Sequence, residues 1–173
     1  MLTQWRNVMI QQITVEHVTF VTDRPFDTVI REFEEQVGSL EQMGWPAIPA
    51  ASRDQADFER RVREVLGPSG FTRFLTIDHG EWVTKQGRPT RFIMYTLGNP
   101  MIAITMIEHD IEAGLDVPVR LAICEHPDGK TRLVFNTPSS LMSGLHNAAV
   151  RSAALKLDAK MIALGEALTG ARA

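Results

Sequence analysis

The sequence has a single cysteine, Cys124, so the chain cannot form an intrachain disulfide. It also lacks long runs of Lys and Arg, and its formal net charge is −3. The sequence therefore shows no clustered basic residues of the kind that bind the phosphate backbone of nucleic acids. The first residues, MLTQWRNVMIQQ, contain neither the apolar stretch of a signal peptide nor that of a membrane anchor. We therefore expect a cytoplasmic protein with no nucleic-acid partner and no membrane partner.

The common short signatures of catalysis are missing as well. The sequence contains no G-x-G-x-x-G, Walker A loop, H-E-x-x-H, C-x-x-C or G-x-S-x-G motif. No pair among the five histidines has the spacing of metal ligands. We predict no metal site, the identity of any cofactor stays unknown, and whether the chain is an enzyme stays open.

What is present is typical of a globular domain. Apolar residues make up 44% of the chain and charged residues 23%, which are ordinary values for a folded domain. A length of 173 residues suits one hydrophobic core. We therefore treat residues 1–173 as a single domain.

Periodicity predicts a strand and two helices in the first part of the chain. Residues 12–22 alternate as in a strand, and we expect its apolar side to carry Ile13, Val15, His17, Thr19 and Val21. A stripe at helical spacing predicts a helix over 26–37, closed by Gly38. Residues 38–51 are expected to form a loop that is partly packed down. Ser52 and Gln55 form a capping box for the second helix, whose charged residues we expect to face solvent.

Four further strands are predicted, over residues 71–78, 90–97, 117–124 and 131–136. Each segment is rich in β-branched, aromatic or alternating apolar residues. The last two are joined by a turn that contains Asp128-Gly129, which is a strong hairpin signal. We expect that pair to be antiparallel.

The segment YTLGNP, residues 95–100, ends one apolar run immediately before another begins. Asn99 is a good N-cap, Pro100 suits the first helical position, and Gly114 suits the residue after the last turn. These residues predict a helix over 99–113, against the competing possibility of a strand. The predicted helix is apolar on all sides from Met101 to Ile107, so we expect it to be covered on more than one side.

A long helix is predicted over residues 140–168, and it has two apolar stripes. The first stripe contains Leu145, Ala149, Ser152, Leu155, Ala159 and Ile162. The second stripe contains Val150, Ala154, Leu157, Met161, Leu164 and Leu168. One stripe can face the core while the other faces a second subunit, or both can pack on the chain's own sheet. We predict a homodimer, and both arrangements stay open.

These elements predict an α+β fold. We expect a mainly antiparallel sheet of about five strands with helices on one face, an extra buried helix and a long C-terminal helix.

Several stretches together resemble the bacterial domain-of-unknown-function family number three hundred and two. The resemblance is carried by YTLGNPMIA, GLDVPVRLAI, the Asp-Gly turn and NTPSSLM, and it extends from about residue 26 to about residue 142. It implies a fold similar to the β-α-β(4)-α arrangement of TATA-box-binding-protein-like domains, and a dimer. Many members of that family have Cys where this chain has Gly98 and Val119, so no thiol or thiolate–metal role is implied here.

The helix start at Asn99 is the predicted centre of a binding site. Free N–H groups at a helix start attract anions, and a cleft between sheet, helix and packed loop suits a small ligand. We therefore predict binding of a small anionic or amphipathic molecule. The predicted ligand-binding residues are Asn99, Pro100, Arg120, Trp45, Phe92, Met101 and Met106.

Asn99 would orient the anionic group, and Arg120 would pair with its charge if it lies on the covered face of the sheet; on the open face it is a solvated charge. If the protein is an enzyme, His109 and Tyr95 are the candidate acid/base residues, acting on a small carbonyl or carboxylate compound. A structural or assembly dimer without a ligand is another alternative. Haem or metal binding is a weaker one.

Overall fold

The computed structural model describes residues 2–5 and 8–171, and for residues 2–5 it describes the backbone alone. The strands are β1 (Leu2–Trp5), β2 (Val8–Gln11), β3 (His17–Thr22), β4 (Gly38–Ser39), β5 (Thr72–Asp78), β6 (Phe92–Gly98), β7 (Val119–Glu125) and β8 (Thr131–Asn136). The α-helices are α1 (Phe26–Gln36), α2 (Ala47–Ala51), α3 (Gln55–Val65), α4 (His79–Thr84), α5 (Pro100–Ile107), α6 (Pro138–Leu141) and α7 (Ala148–Thr169). Short 3-10 helices occupy Ile111–Leu115 and Met142–Leu145.

The main sheet has six strands in the order β3-β8-β7-β6-β5-β4. All neighbours are antiparallel except the parallel pair β4 and β5. The α+β prediction with a mainly antiparallel sheet is therefore confirmed, and so are the antiparallel hairpin of β7 and β8 and the positions of α1, β5 and β6. The sixth strand is the two-residue β4, which lies within the segment predicted to be a loop.

Helices α1 and α7 cover one face of this sheet. Phe33 of α1 packs against Tyr95 of β6, with the ring centroids 4.3 Å apart and the ring planes tilted by 32°. Gly165 of α7 lies so close to β3 that a Cβ there would come within 2.3 Å of the Phe20 ring. Only a glycine allows this approach, so the backbone of α7 at Gly165 lies directly against the Phe20 ring of β3.

The opposite surface is called the open face here and is defined by Val21, Leu75 and Arg120. Val21 is 45% exposed and Leu75 is 47% exposed. Register places Thr96 between Leu75 and Arg120, since Thr96 pairs with both. No helix of the covering layer lies over this row of the described chain.

The predicted orientation of β3 is wrong. Phe20 and Thr22 point into the core, whereas His17, Thr19 and Val21 lie on the exposed side. Both sides of this strand contain apolar residues, so the alternation is compatible with either side facing the core. The packing of Phe20 under α7 decides the orientation. His17 is consequently a surface residue, with its Nδ1 2.9 Å from Asn136 Oδ1.

The predicted helix over 99–113 is correct at its start and wrong in its length. Asn99 is the N-cap and Pro100 is in the first turn, but α5 ends at Ile107. Asp110 then caps the separate 3-10 helix that contains Gly114, by accepting from Glu112 N. The helix is also less covered than expected, because Ile104 is 40% exposed.

The long C-terminal helix begins later than predicted. Residues 138–145 form α6 and a 3-10 turn, and Asn147 then caps α7 through Ala149 N and Val150 N. Of the two predicted apolar stripes, the one from Val150 to Leu168 is buried, and it is called the inner stripe here. The other is called the outer stripe and is exposed at its centre, where Leu155 is 47% exposed.

The N-terminus of α3 also differs from the prediction. Its cap is Asp54, which accepts from Asp57 N, and not Ser52. The side chain of Asp57 is almost inaccessible and pairs with Arg53 and Arg60. Hydrogen bonds from Arg53 and then Arg60 hold the pKa of Asp57 well below its usual range.

Among residues 2–5 and 8–171, no helix combines the length and the apolar character that a membrane crossing requires.

Candidate functional site

A cavity of about 250 Å³ lies beside α5, where β6 ends and β7 begins. Its walls come from the α2–α3 region, β5, β6, α5, the start of β7 and α7. The lining residues are Trp45, Phe58, Phe74, Gly98, Asn99, Pro100, Ile102, Ala103, Ile104, Ile107, Val117, Pro118, Val119 and Leu157. None of them is charged, and Asn99 alone has a polar side chain.

The three aromatic rings of the wall are positioned by local features of the chain. The ring centroid of Trp45 lies 6.1 Å from that of Phe58 and 5.7 Å from that of Phe74, both edge to face. Phe74 occurs at a register shift in β5, between Arg73 and Leu75. A shift of this kind re-aims a side chain, and here it brings Phe74 to the cluster around Trp45. The loop predicted to pack down therefore forms one side of the cavity.

Asn99 has the predicted position at the start of the helix, and both ends of its amide are occupied. Its Oδ1 accepts from Met101 N at 2.9 Å, and its Nδ2 donates to Gly70 O at 3.0 Å. The amides of Ile102 and Ala103 each donate to Asn99 O at 2.9 Å. Because these donors already have partners, the helix start offers an anion little to bind.

Three of the predicted ligand-binding residues line the cavity, namely Trp45, Asn99 and Pro100. Met101 packs beside it, in the cluster formed by Leu40, Ile48 and Val62. Met106 is fully buried in the main core. Phe92 lies at the opposite end of β6, with its ring 5.3 Å from that of His79. The structure thus brings together part of the predicted set.

The two candidate acid/base residues lie in different environments, one in the core and one at the surface. Tyr95 points inward from β6 and is completely buried, and its hydroxyl makes no hydrogen bond within the described chain. Burial raises the pKa of Tyr95, with the Glu34 charge adding to the effect. His109 follows α5 on the surface, 3.8 Å from the Glu108 carboxylate, and neither residue lines the cavity.

Arg120 lies on the open face, which the sequence left undecided. It does not line the apolar cavity but a second pocket of about 280 Å³ on the other side of Val117 and Pro118. The residues of this polar pocket are Thr96, Leu115, Asp116, Val117, Pro118, Arg120, Asn136 and Leu141. Burial raises the pKa of Asp116, and the charge of Arg120 opposes that rise.

No metal site is evident in the described part of the chain, because no group of three or more His, Cys, Asp or Glu side chains there could hold an ion. Cys124 is buried, and burial raises the pKa of its thiol. A buried thiol of raised pKa is a poor nucleophile.

Sequence reasoning missed most of the cavity wall. Phe58 lies on the apolar stripe of the second predicted helix and Leu157 on one of the two stripes of the C-terminal helix, and neither residue was assigned to a site. Pro118 was placed in a strand. The signal that could have identified Phe74 is its position out of phase with Phe71 and Leu75. The polar pocket was missed because Thr96 and Asn136 are distant in sequence from Arg120.

Comparison with known proteins identifies relatives of the fold. Residues 49–168 match the sequence model of "Domain of unknown function DUF302". The structure is similar to a crystal structure of an uncharacterized conserved protein DUF302 from Bacillus stearothermophilus, with a TM-score of 0.62 and 16% sequence identity. The similarity covers 87% of this chain and 95% of the other. No curated protein matches this chain.

Proposed function

This chain belongs to the DUF302 family, and we propose that it binds a small apolar or amphipathic molecule in the cavity beside α5. The observation that supports the proposal most is the lining of the cavity, in which every side chain but one is apolar. A concave, mostly apolar lining with few polar groups is typical of sites that bind small molecules.

The size of the cavity sets the expected affinity. A ligand group that buries roughly 200 Å² of apolar surface gains about 5 kcal/mol at about 25 cal/mol per Å². Part of this gain offsets the cost of immobilising the ligand. From the apolar part alone, a dissociation constant of about 0.2 mM or weaker follows.

The apolar part of the ligand is expected to enter past Ile104 and Pro118, which are both exposed at the edge of the cavity. A polar end, where the ligand has one, stays at this edge. An anion held by Asn99 is less favoured, because the Asn99 amide already bonds to Met101 N and Gly70 O.

Titration with the uncharged fluorescent dye N-phenylnaphthylamine tests the proposal. Ala103 lines the cavity from α5, so Ala103→Trp is expected to fill the space and weaken dye binding at least tenfold. Thr105→Trp is the matched control, because Thr105 lies on the same helix, is exposed and does not line the cavity. Equal dye affinity in both variants would exclude the cavity as the binding site.

A homodimer is a second proposal, and the exposed outer stripe of α7 supports it. Ala149, Ser152, Leu155 and Ala159 are exposed and adjacent on one helix face. An apolar stripe at helical spacing is suited to a symmetric contact with a second copy.

The remaining alternatives are still predictions. Acid/base catalysis by His109 and Tyr95 would require a substrate that reaches residues outside the cavity. Two functional alternatives also remain predictions, namely haem or metal binding and a structural role without a ligand. The same holds for three other properties: a bacterial source, a TATA-box-binding-protein-like fold and a cytoplasmic location.

A further inference from the structure

Three neighbouring strands place polar side chains side by side at one end of the open face. Thr96 of β6 pairs with Arg120 of β7, and Asn136 of β8 lies next to them because Leu121 pairs with Phe135. All three residues line the polar pocket. Their spacing is set by the sheet, so these side chains are presented from a rigid surface.

Asp116 completes the pocket from the segment that precedes β7. Leu115 and Leu141 form its apolar walls. An acidic group, a basic group and two neutral hydrogen-bonding groups therefore face one space, with apolar surface beside them.

The two charged groups of the polar pocket are not paired with each other. Within residues 2–5 and 8–171, neither the Arg120 guanidinium nor the Asp116 carboxylate makes a hydrogen bond, or an ion pair at 4.0 Å or less. On the same face, Arg132 does pair, with Asp128. Arg120 is nevertheless close enough to Asp116 to affect the pKa of that carboxyl.

The neutral groups also retain bonding capacity. Asn136 uses its Oδ1 with His17 Nδ1. In the described part of the chain, its Nδ2 and the Thr96 hydroxyl make no hydrogen bond.

We propose that the polar pocket binds a small zwitterion of the α-amino acid class, with its carboxylate on Arg120 and its ammonium group on Asp116. Arginine suits a carboxylate because its planar guanidinium offers two parallel donors. Thr96 and the Asn136 amide can add hydrogen bonds to the same carboxylate. An apolar substituent would lie against Leu115 and Leu141.

A zwitterion fits the charges better than a simple anion or cation does. An anion alone would place its charge near the Asp116 carboxylate, and a cation alone would place its charge near Arg120. A zwitterion places its negative group on Arg120 and its positive group on Asp116, and it adds no net charge to the pocket. This proposal does not depend on the apolar cavity, since Val117 and Pro118 lie between the two spaces.

A matched series of ligands tests the proposal by calorimetric titration of the full chain at neutral pH. L-alanine has both charges, propionate lacks the ammonium group, and ethylammonium lacks the carboxylate. L-alanine is expected to bind at least tenfold more tightly than either analogue. Amide chemical shifts should move at residues 115–117, 119, 120, 96 and 136, and not in α5.

Two variants assign the charges. Arg120→Gln should weaken L-alanine binding at least tenfold. Asp116→Asn should reduce L-alanine affinity to that of propionate, without weakening propionate. Arg88→Gln is the matched control, because Arg88 is exposed, has no ion pair among the described residues and lies outside the pocket.

Each contrary outcome overturns the proposal. If propionate binds as tightly as L-alanine, Asp116 is not part of the site. If ethylammonium binds as tightly as L-alanine, Arg120 is not part of the site. L-alanine affinity unchanged in both variants places binding elsewhere. No saturable binding of L-alanine by the wild-type protein also refutes the site, while leaving the dye experiment on the apolar cavity unaffected.

Discussion

Replacing Asn99 with alanine removes two contacts that fix the start of α5. The side chain accepts from Met101 N at 2.9 Å and donates to Gly70 O at 3.0 Å. Alanine can do neither, so the first turn loses its cap and the loop before β5 loses its attachment to the helix.

The expected loss of stability follows from these two contacts. Loss of an N-cap costs about 1 kcal/mol, and loss of a partly buried hydrogen bond costs about 1 kcal/mol more. The free energy of unfolding should therefore fall by about 2 kcal/mol. For a chain of this length, the melting temperature should fall by about 4–8 °C.

Urea unfolding followed by circular dichroism measures this change. Asn99→Asp is the control variant, because it keeps the oxygen that accepts from Met101 N and loses the donor to Gly70 O. It should lose no more than about 1 kcal/mol, since a negative charge also favours the helix start. A loss below about 0.5 kcal/mol in Asn99→Ala, or equal losses in both variants, would refute the structural role of this cap.

Three other variants test separate parts of the structure. Tyr95→Phe removes a buried hydroxyl that has no partner in the described chain, so stability should stay unchanged or rise by up to about 1 kcal/mol in urea unfolding; a clear loss would reveal a partner. Asp57 has a lowered pKa in the folded state, so its stabilisation is present above about pH 4 and is lost as pH falls. The urea midpoint of Asp57→Asn should therefore decline less on acidification than that of wild type, and parallel declines would contradict the ion pairs. Leu155→Glu should convert a dimer into a monomer in light scattering while Val21→Glu on the open face does not, and the reverse result would assign the interface to the sheet.

The fold was predictable where one local pattern had one interpretation. The stripe of α1 predicts one buried face and the Asp-Gly turn predicts one antiparallel pair, whereas the two stripes of α7 left open which of them faces the core. The orientation of β3 was not predictable, because Val18 and Phe20 on one side compete with Val21 on the other. Only the contact between Phe20 and Gly165, which are distant in sequence, resolves it.

The cavity beside α5 was predictable in its location and less so in its lining. The caps at Asn99 and Pro100 correctly located the helix start, and Trp45 was found because an apolar residue between glycine and proline suggested a packed loop. Tyr95 and Met106 were included because they lie near Asn99 in sequence. The alternation of side chains along β6 directs Tyr95 into the core, and the helical position of Met106 on α5 does the same for that side chain.

Native mass spectrometry of the protein with added N-phenylnaphthylamine tests the central claim, that the cavity beside α5 binds a small molecule. We expect a non-covalent adduct on the wild-type protein and on Thr105→Trp, and its absence from Ala103→Trp. Unoccupied protein in every case, or the same adduct on all three proteins, would contradict the claim.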